Sequence, residues 1–226
     1  MPERRSRYGN LPKPDTAAVP ALNPNLGNLT TLDDKAKALS ENGDPSGSAF
    51  GILQVTAKKV RNTSITISWK PVPNAAGYVI CTAPCGTRYS KLPDPVIGTS
   101  FTQKGLKKGT YYKFFVSAYD MNGNILATSK SIHVATSGGK KGNTKSVRLE
   151  KKKIVLKKGK TFKMKATLEN GKLKVSKHRK VAFESDNPKV ATVSRNGKVK
   201  AVGRGSCTVY AYAQNGVFAK CKVMVK

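Results

Sequence analysis

From Tyr112 to Ala118 every second residue is apolar: Tyr112, Phe114, Val116 and Ala118. Successive side chains of an extended chain point to opposite faces, so this spacing sets one face of a strand against a core. The same period recurs at Leu53, Val55 and Ala57, at Ile65, Ile67 and Trp69, and at Ile125 and Ala127. Tyr78-Val79-Ile80, Phe101 and the run Ile132–Ala135 complete seven short runs, separated by turn signals such as Gly98, Lys108-Gly109 and Gly123. Seven short strands with turns at intervals of roughly 8–12 residues is the pattern of a β-sandwich.

A second unit repeats the texture. Val147 and Leu149, Ile154 and Leu156, and Phe162, Met164 and Ala166 alternate, as do Val199 and Ala201, and Cys207, Val209 and Ala211. Ala219, Cys221, Val223 and Val225 close it, and Asn196-Gly197 and Asn215-Gly216 mark tight turns between strands. No helical period runs through either unit. The predicted fold class is all-β, two tandem Ig-like β-sandwich domains behind an extended N-terminal leader.

The expected boundaries follow composition. Residues 1–50 form a basic leader, punctuated by Pro2, Pro12, Pro14, Pro20 and Pro24 and too polar to bury a core. It is predicted to be flexible, with a short helix over Leu32–Leu39 capped by Thr31. Residues 51–136 form the first domain and 145–226 the second. Between them, 137–144 is a linker rich in glycine and lysine, expected to be short and flexible.

Two resemblances rest on specific residues. Ile67-x-Trp69, Ala76-Gly77-Tyr78-Val79-Ile80 and Leu106-x-x-Gly109-Thr110-x-Tyr112-x-x-x-Val116-x-Ala118 make residues of about 52–136 resemble a fibronectin type III domain. That resemblance implies Trp69 and Tyr78 in the core and Tyr112 as a corner tyrosine whose hydroxyl returns to backbone near Leu106. The Arg-Gly-Asp tripeptide of some animal members is absent. Phe183-x-Ser185-x-Asn187-x-x-Val190-Ala191-x-Val193-Ser194-x-x-Gly197-x-Val199-x-Ala201 makes about 145–226 resemble the bacterial Ig-like group 2 domain, with Phe183, Val190 and Val193 as core positions.

Charge then narrows the partners. The chain carries 42 Lys+Arg against 12 Asp+Glu, a net of +30, and residues 140–226 alone hold 25 basic and 4 acidic side chains. Such a surface attracts polyanions in a salt-sensitive way. The candidate polyanion-binding residues are Lys151, Lys152, Lys153, Lys157, Lys158 and Lys160, which bracket one strand, and the run Lys177, His178, Arg179 and Lys180. The competing reading is that lysines on strands keep exposed edges from pairing with other chains. Readers of specific nucleic-acid sequence need a groove helix or exposed stacking aromatics. Here most aromatics fall at core positions, so nucleic acid is expected to bind only non-specifically.

Four cysteines, Cys81, Cys85, Cys207 and Cys221, lack zinc spacing, and the chain has two histidines, His133 and His178. Two disulfides, Cys81–Cys85 and Cys207–Cys221, stand open beside four buried inert thiols. No catalytic, metal or cofactor site is expected. Glu184 and Asp186, two apart on or beside a strand, read as a solvated carboxylate and a turn former rather than an acid pair. With no apolar run of about 18 residues, no membrane insertion is expected. The first 20 residues have a charged start without the apolar core of an export signal.

These readings predict a non-catalytic, surface-exposed binding, adhesion or spacer protein. Its expected partners are cell-surface glycans, anionic cell-wall polymers or proteins in a larger assembly, and its expected location is extracellular or the cell surface. The alternative is a structural virion protein, a capsid decoration or tail accessory, anchored by its leader and displaying the Ig-like domains.

Overall fold

A computed structural model describes residues 53–122, 125–175 and 181–226. The leader with its expected helix lies outside the described residues, and so do Lys177, His178, Arg179 and Lys180. The described residues are all strand and turn, without helix.

The first module packs two sheets. One holds β1 (Thr56–Val60), β2 (Ile65–Ser68) and β5 (Ser100–Gln103), in the order β1-β2-β5. The other holds β3 (Gly77–Pro84), the two-residue β4 (Ser90–Lys91), β6 (Tyr111–Tyr119), β7 (Ile125–Thr128) and β8 (Ile132–Ala135), in the order β4-β3-β6-β7 with β8 also on β6. The alternation read in the sequence becomes the layer between them. Tyr112, Phe114, Val116 and Ala118, with Tyr78 beside Ala118 on the neighbouring strand, pack with Ile65, Ile67 and Trp69 in one buried cluster.

Trp69 and Tyr78 meet with ring centroids 5.1 Å apart and planes tilted by 60°. The Tyr78 hydroxyl accepts the Val72 N–H at 2.9 Å, so its polar end is satisfied inside the core. Leu106 and Tyr112 are buried, and the Tyr112 hydroxyl accepts the Lys107 N–H at 3.0 Å. The corner tyrosine therefore returns to backbone where the resemblance implied. The outer face of β3 and β6 is also dry, because Val79, Cys81, Phe115 and Tyr119 form a second cluster under Tyr89. Tyr89 packs edge-on to Phe115 at 4.7 Å.

The second module carries β9 (Ser146–Leu149), β10 (Lys153–Leu156), β11 (Thr161–Lys163), β12 (Ala166–Glu169), β13 (Ala182–Ser185), β14 (Ala191–Val193), β15 (Lys198–Ala201), β16 (Gly205–Tyr212) and β17 (Phe218–Val225). One sheet runs β10-β17-β16-β13, and β10 pairs with β17 in parallel. The opposite layer is built from β11-β15-β14 and β12-β9. Its core gathers Ile154, Met164, Val190, Val199, Cys207, Val209, Cys221, Val223 and Val225, with Phe183 and Val193 half-buried against it.

Both Asn-Gly pairs sit in hairpin turns. Gly197 (φ 83°) and Gly216 (φ 82°) take the left-handed conformation, while their asparagines do not. A two-residue turn of the tightest type needs both central residues left-handed. The loops are accordingly longer: Gly197 N–H bonds Ser194 C=O at 2.9 Å, and Gly216 N–H bonds Ala213 C=O at 3.0 Å.

The expected linker, 137–144, and Thr136 just before it are tied by hydrogen bonds and close packing. Thr136 is fully buried, its hydroxyl donating to Lys107 C=O at 2.6 Å and accepting the Thr110 N–H at 3.0 Å. Asn143 closes on Ala135 through its side-chain amide, accepting its N–H and donating to its C=O, both at 2.8 Å. Gly139 packs on Gly109 so closely that a Cβ on it would lie 2.5 Å from the Gly109 Cα. Glycine stands here because another backbone passes, not because the chain must bend.

Candidate functional site

Two features concern function: the junction between the modules and the basic surface of the second. The junction is made by the tip of the β16–β17 hairpin. Gln214 and Asn215, at the turn the sequence marks by Asn215-Gly216, are 2% and 3% exposed. Gln214 C=O accepts the His133 N–H at 2.7 Å, and Asn215 C=O accepts the Ala57 N–H at 3.1 Å. The Thr56 hydroxyl donates to Gly216 C=O at 3.1 Å. The Asn215 side-chain amide donates to Thr144 C=O at 2.8 Å, and the Tyr111 hydroxyl to Gly142 C=O at 2.6 Å. The tip thus lies on β1 and β8 of the first module, with linker backbone on its other side. At Gly216 a Cβ would collide with the Val55 carbonyl oxygen.

The predicted basic stripe divides in two. Lys151, Lys152, Lys153, Lys157, Lys158 and Lys160 are all exposed. The first three lead into β10, an edge strand, and the last three form the turn at its other end, where Lys160 N–H bonds Lys157 C=O at 3.0 Å. Lys152 and Lys157 are five residues apart, roughly 16 Å along an extended chain. Sequence reasoning missed Lys220 and Lys222 on β17 and Arg148 on β9. The first two were legible: they alternate with inward Cys221 and Val223, so they must point outward. With Lys152, these three side chains line one groove of about 1150 Å³.

The acidic pair reads as turn chemistry. Asp186 Oδ1 accepts the Thr208 N–H at 2.7 Å, and Asp186 N–H donates to Thr208 C=O at 3.0 Å. Asp186 thereby extends the β13–β16 pairing past its last rung.

All four cysteines are described, and all are thiols, so neither disulfide left open by the sequence is formed. Cys81 lies on β3 and Cys85 one residue beyond its end, roughly 13 Å apart if extended. A bridge needs Cα atoms within about 7 Å. Cys207 and Cys221 do share the inner face of the β16–β17 hairpin. The register pairs Cys207 with Val223 and Val209 with Cys221, so the two are diagonal neighbours at about 7–8 Å.

The Cys85 sulfur lies 3.3 Å from His133 Nδ1. Burial pushes its thiol up to about 11, against the opposing pull of the Lys113 and Lys141 charges. A thiol held protonated is the reverse of an activated nucleophile. Burial raises the Cys207 and Cys221 thiols as well. Among the described residues no three His, Cys, Asp or Glu side chains gather to hold a metal.

The fold therefore defines a tandem of immunoglobulin-like β-sandwich modules, whose described residues present a basic groove and a keyed junction. Residues 50–135 match the fibronectin type III domain and residues 143–224 the bacterial Ig-like domain (group 2), and the chain carries one of each in that order. Both are non-catalytic domain types.

The chain is 33% identical to Chitinase 63 of Streptomyces plicatus over 105 residues, covering 44% of this chain and 16% of that protein. It is 30% identical to Chitinase A1 of Niallia circulans over 125 residues, covering 51% and 17%. It thus spans about a sixth of the length of the chitinases it matches. Among solved structures, the FN5 domain of Drosophila Lar is 33% identical, with a TM-score of 0.33, covering 38% of this chain and 96% of that one.

Proposed function

We propose that the chain is a non-catalytic spacer and binding unit that works outside the cell at a polysaccharide surface. The keyed junction carries this reading. A flexible tether would let the second module point anywhere. A hairpin tip buried against β1 and β8 holds the basic surface of that module at a fixed angle to the first. The likeness to chitinases supports a carbohydrate setting, and the net charge of +30 supports an acidic polymer as the surface engaged. No observation on the described residues favours the virion reading.

Co-sedimentation of the full chain with purified Gram-positive cell wall tests the proposal. The protein should pellet with the wall at low ionic strength and be released as salt screens the exposed charges. Retention by neither wall nor chitin, or release of soluble sugar from either, would refute it.

A further inference from the structure

We propose that the groove between β9 and the β17–β16 pair is a binding site for an anionic glycan, a sugar chain carrying carboxylates. The site goes beyond the spacer reading and does not depend on the angle between the modules. Its cations converge from three elements: Arg148 from β9, Lys152 from the approach to β10, and Lys220 and Lys222 from β17.

The position of Lys222 decides between function and surface protection. Lysines on an edge strand discourage pairing with other chains, which accounts for Lys153 on β10. From Lys222 onward β17 is not an edge, because it is bonded on one side to β10 and on the other to β16. Lys222 therefore protects no edge, and it lies directly beside Lys153 in the parallel register. Adjacent like charges on one sheet face destabilise it. A polyanion seated across Lys152, Lys220 and Lys222 offsets that repulsion, so the arrangement is strained without a ligand and relieved with one.

The rest of the lining selects the kind of polyanion. Asp186 and Thr208 lie in the same groove, and Asp186 is fixed by its bond from the Thr208 N–H at 2.7 Å. A carboxylate there accepts hydrogen bonds from sugar hydroxyls, which the deoxyribose phosphate backbone does not offer. No lining residue is aromatic, so unpaired bases find nothing to stack on. Lys220 and Lys222 also sit on the interior strand of a four-stranded sheet, so the charges are held on a rigid element rather than a loop.

The test is a heteronuclear NMR titration of the full chain with hexagalacturonate, against chitohexaose and a single-stranded oligothymidylate. The expected result is saturable shifts at the amides of Arg148, Thr208, Lys220 and Lys222 with hexagalacturonate. The combined variant Arg148→Gln, Lys220→Gln, Lys222→Gln should weaken the affinity by 10-fold or more, with its spectrum otherwise preserved. Lys58→Gln, Lys59→Gln and Lys70→Gln combined on the first module, which lose the same charge from exposed positions, should change it by less than 2-fold. Equal losses in both variants would reduce the effect to net charge and overturn the site. So would tighter binding of oligothymidylate, equal binding of the neutral chitohexaose, or no shift in the groove. The groove can fail this way while the full chain still pellets with cell wall, so the two proposals fail separately.

Discussion

At the scale of single residues, the alternating pattern identified what faces inward and what does not. Tyr112, Phe114, Val116 and Ala118 lie inward as their alternation required, because a strand offers a side chain only two directions. What a side chain meets once it turns inward was not legible. Cys85 shows this: its neighbour in space, His133, is 48 residues away in sequence. The pair makes a pH prediction. Burial raises the folded thiol from an ordinary value of 9.0 to about 11, so the unfolded chain ionises first. Cys85 therefore favours the folded state fully below about pH 9, and that preference is lost as the pH climbs toward 11. Denaturant titrations between pH 8 and 11 should show stability falling through this window. Cys85→Ser should flatten that part of the slope, and an identical slope in the variant would contradict the assignment.

At the scale of elements, hairpins were foreseen and their service was not. Asn215-Gly216 announces a turn through local backbone preference, which the sequence states directly. That the tip of this turn is buried against another module depends on a surface 81 to 160 residues distant, and nothing near Gln214 encodes it. The prediction at this scale compares two glycines. Gly159 and Gly216 have φ near 80°, so alanine at either suffers the left-handed backbone cost of roughly 1–2 kcal/mol. A Cβ at Gly159 meets nothing within 4 Å, whereas at Gly216 it strikes the Val55 carbonyl. Gly216→Ala should therefore destabilise more than Gly159→Ala. It should also speed amide hydrogen exchange at Ala57 and His133, whose N–H groups bond the tip. Unchanged exchange at those two amides would mean that the tip is not held there.

At the scale of the whole molecule, composition suggested a class of partner and left the conformation of the connector unspecified. A basic, glycine-rich stretch reads as a free tether because glycine permits so much backbone. Gly139 and Gly142 are instead places where other parts of the chain come too close for a side chain: the Gly109 backbone at one, Leu173 at the other. Close approach and flexibility call for the same residue, so sequence alone does not separate them. The hydrophobic cores of the two modules remain distinct clusters, as the two runs of alternation implied. The join is instead largely polar, made by Gln214, Asn215, Tyr111 and Thr144.

That join holds the two modules as one body. Backbone ¹⁵N relaxation on the full chain measures it directly, since each module reports its own rotational correlation time. Ordered amides of residues 53–122 and of 181–226 should fit one common diffusion tensor, with a correlation time set by both modules together. Two separate, shorter correlation times, one for each module, would contradict it.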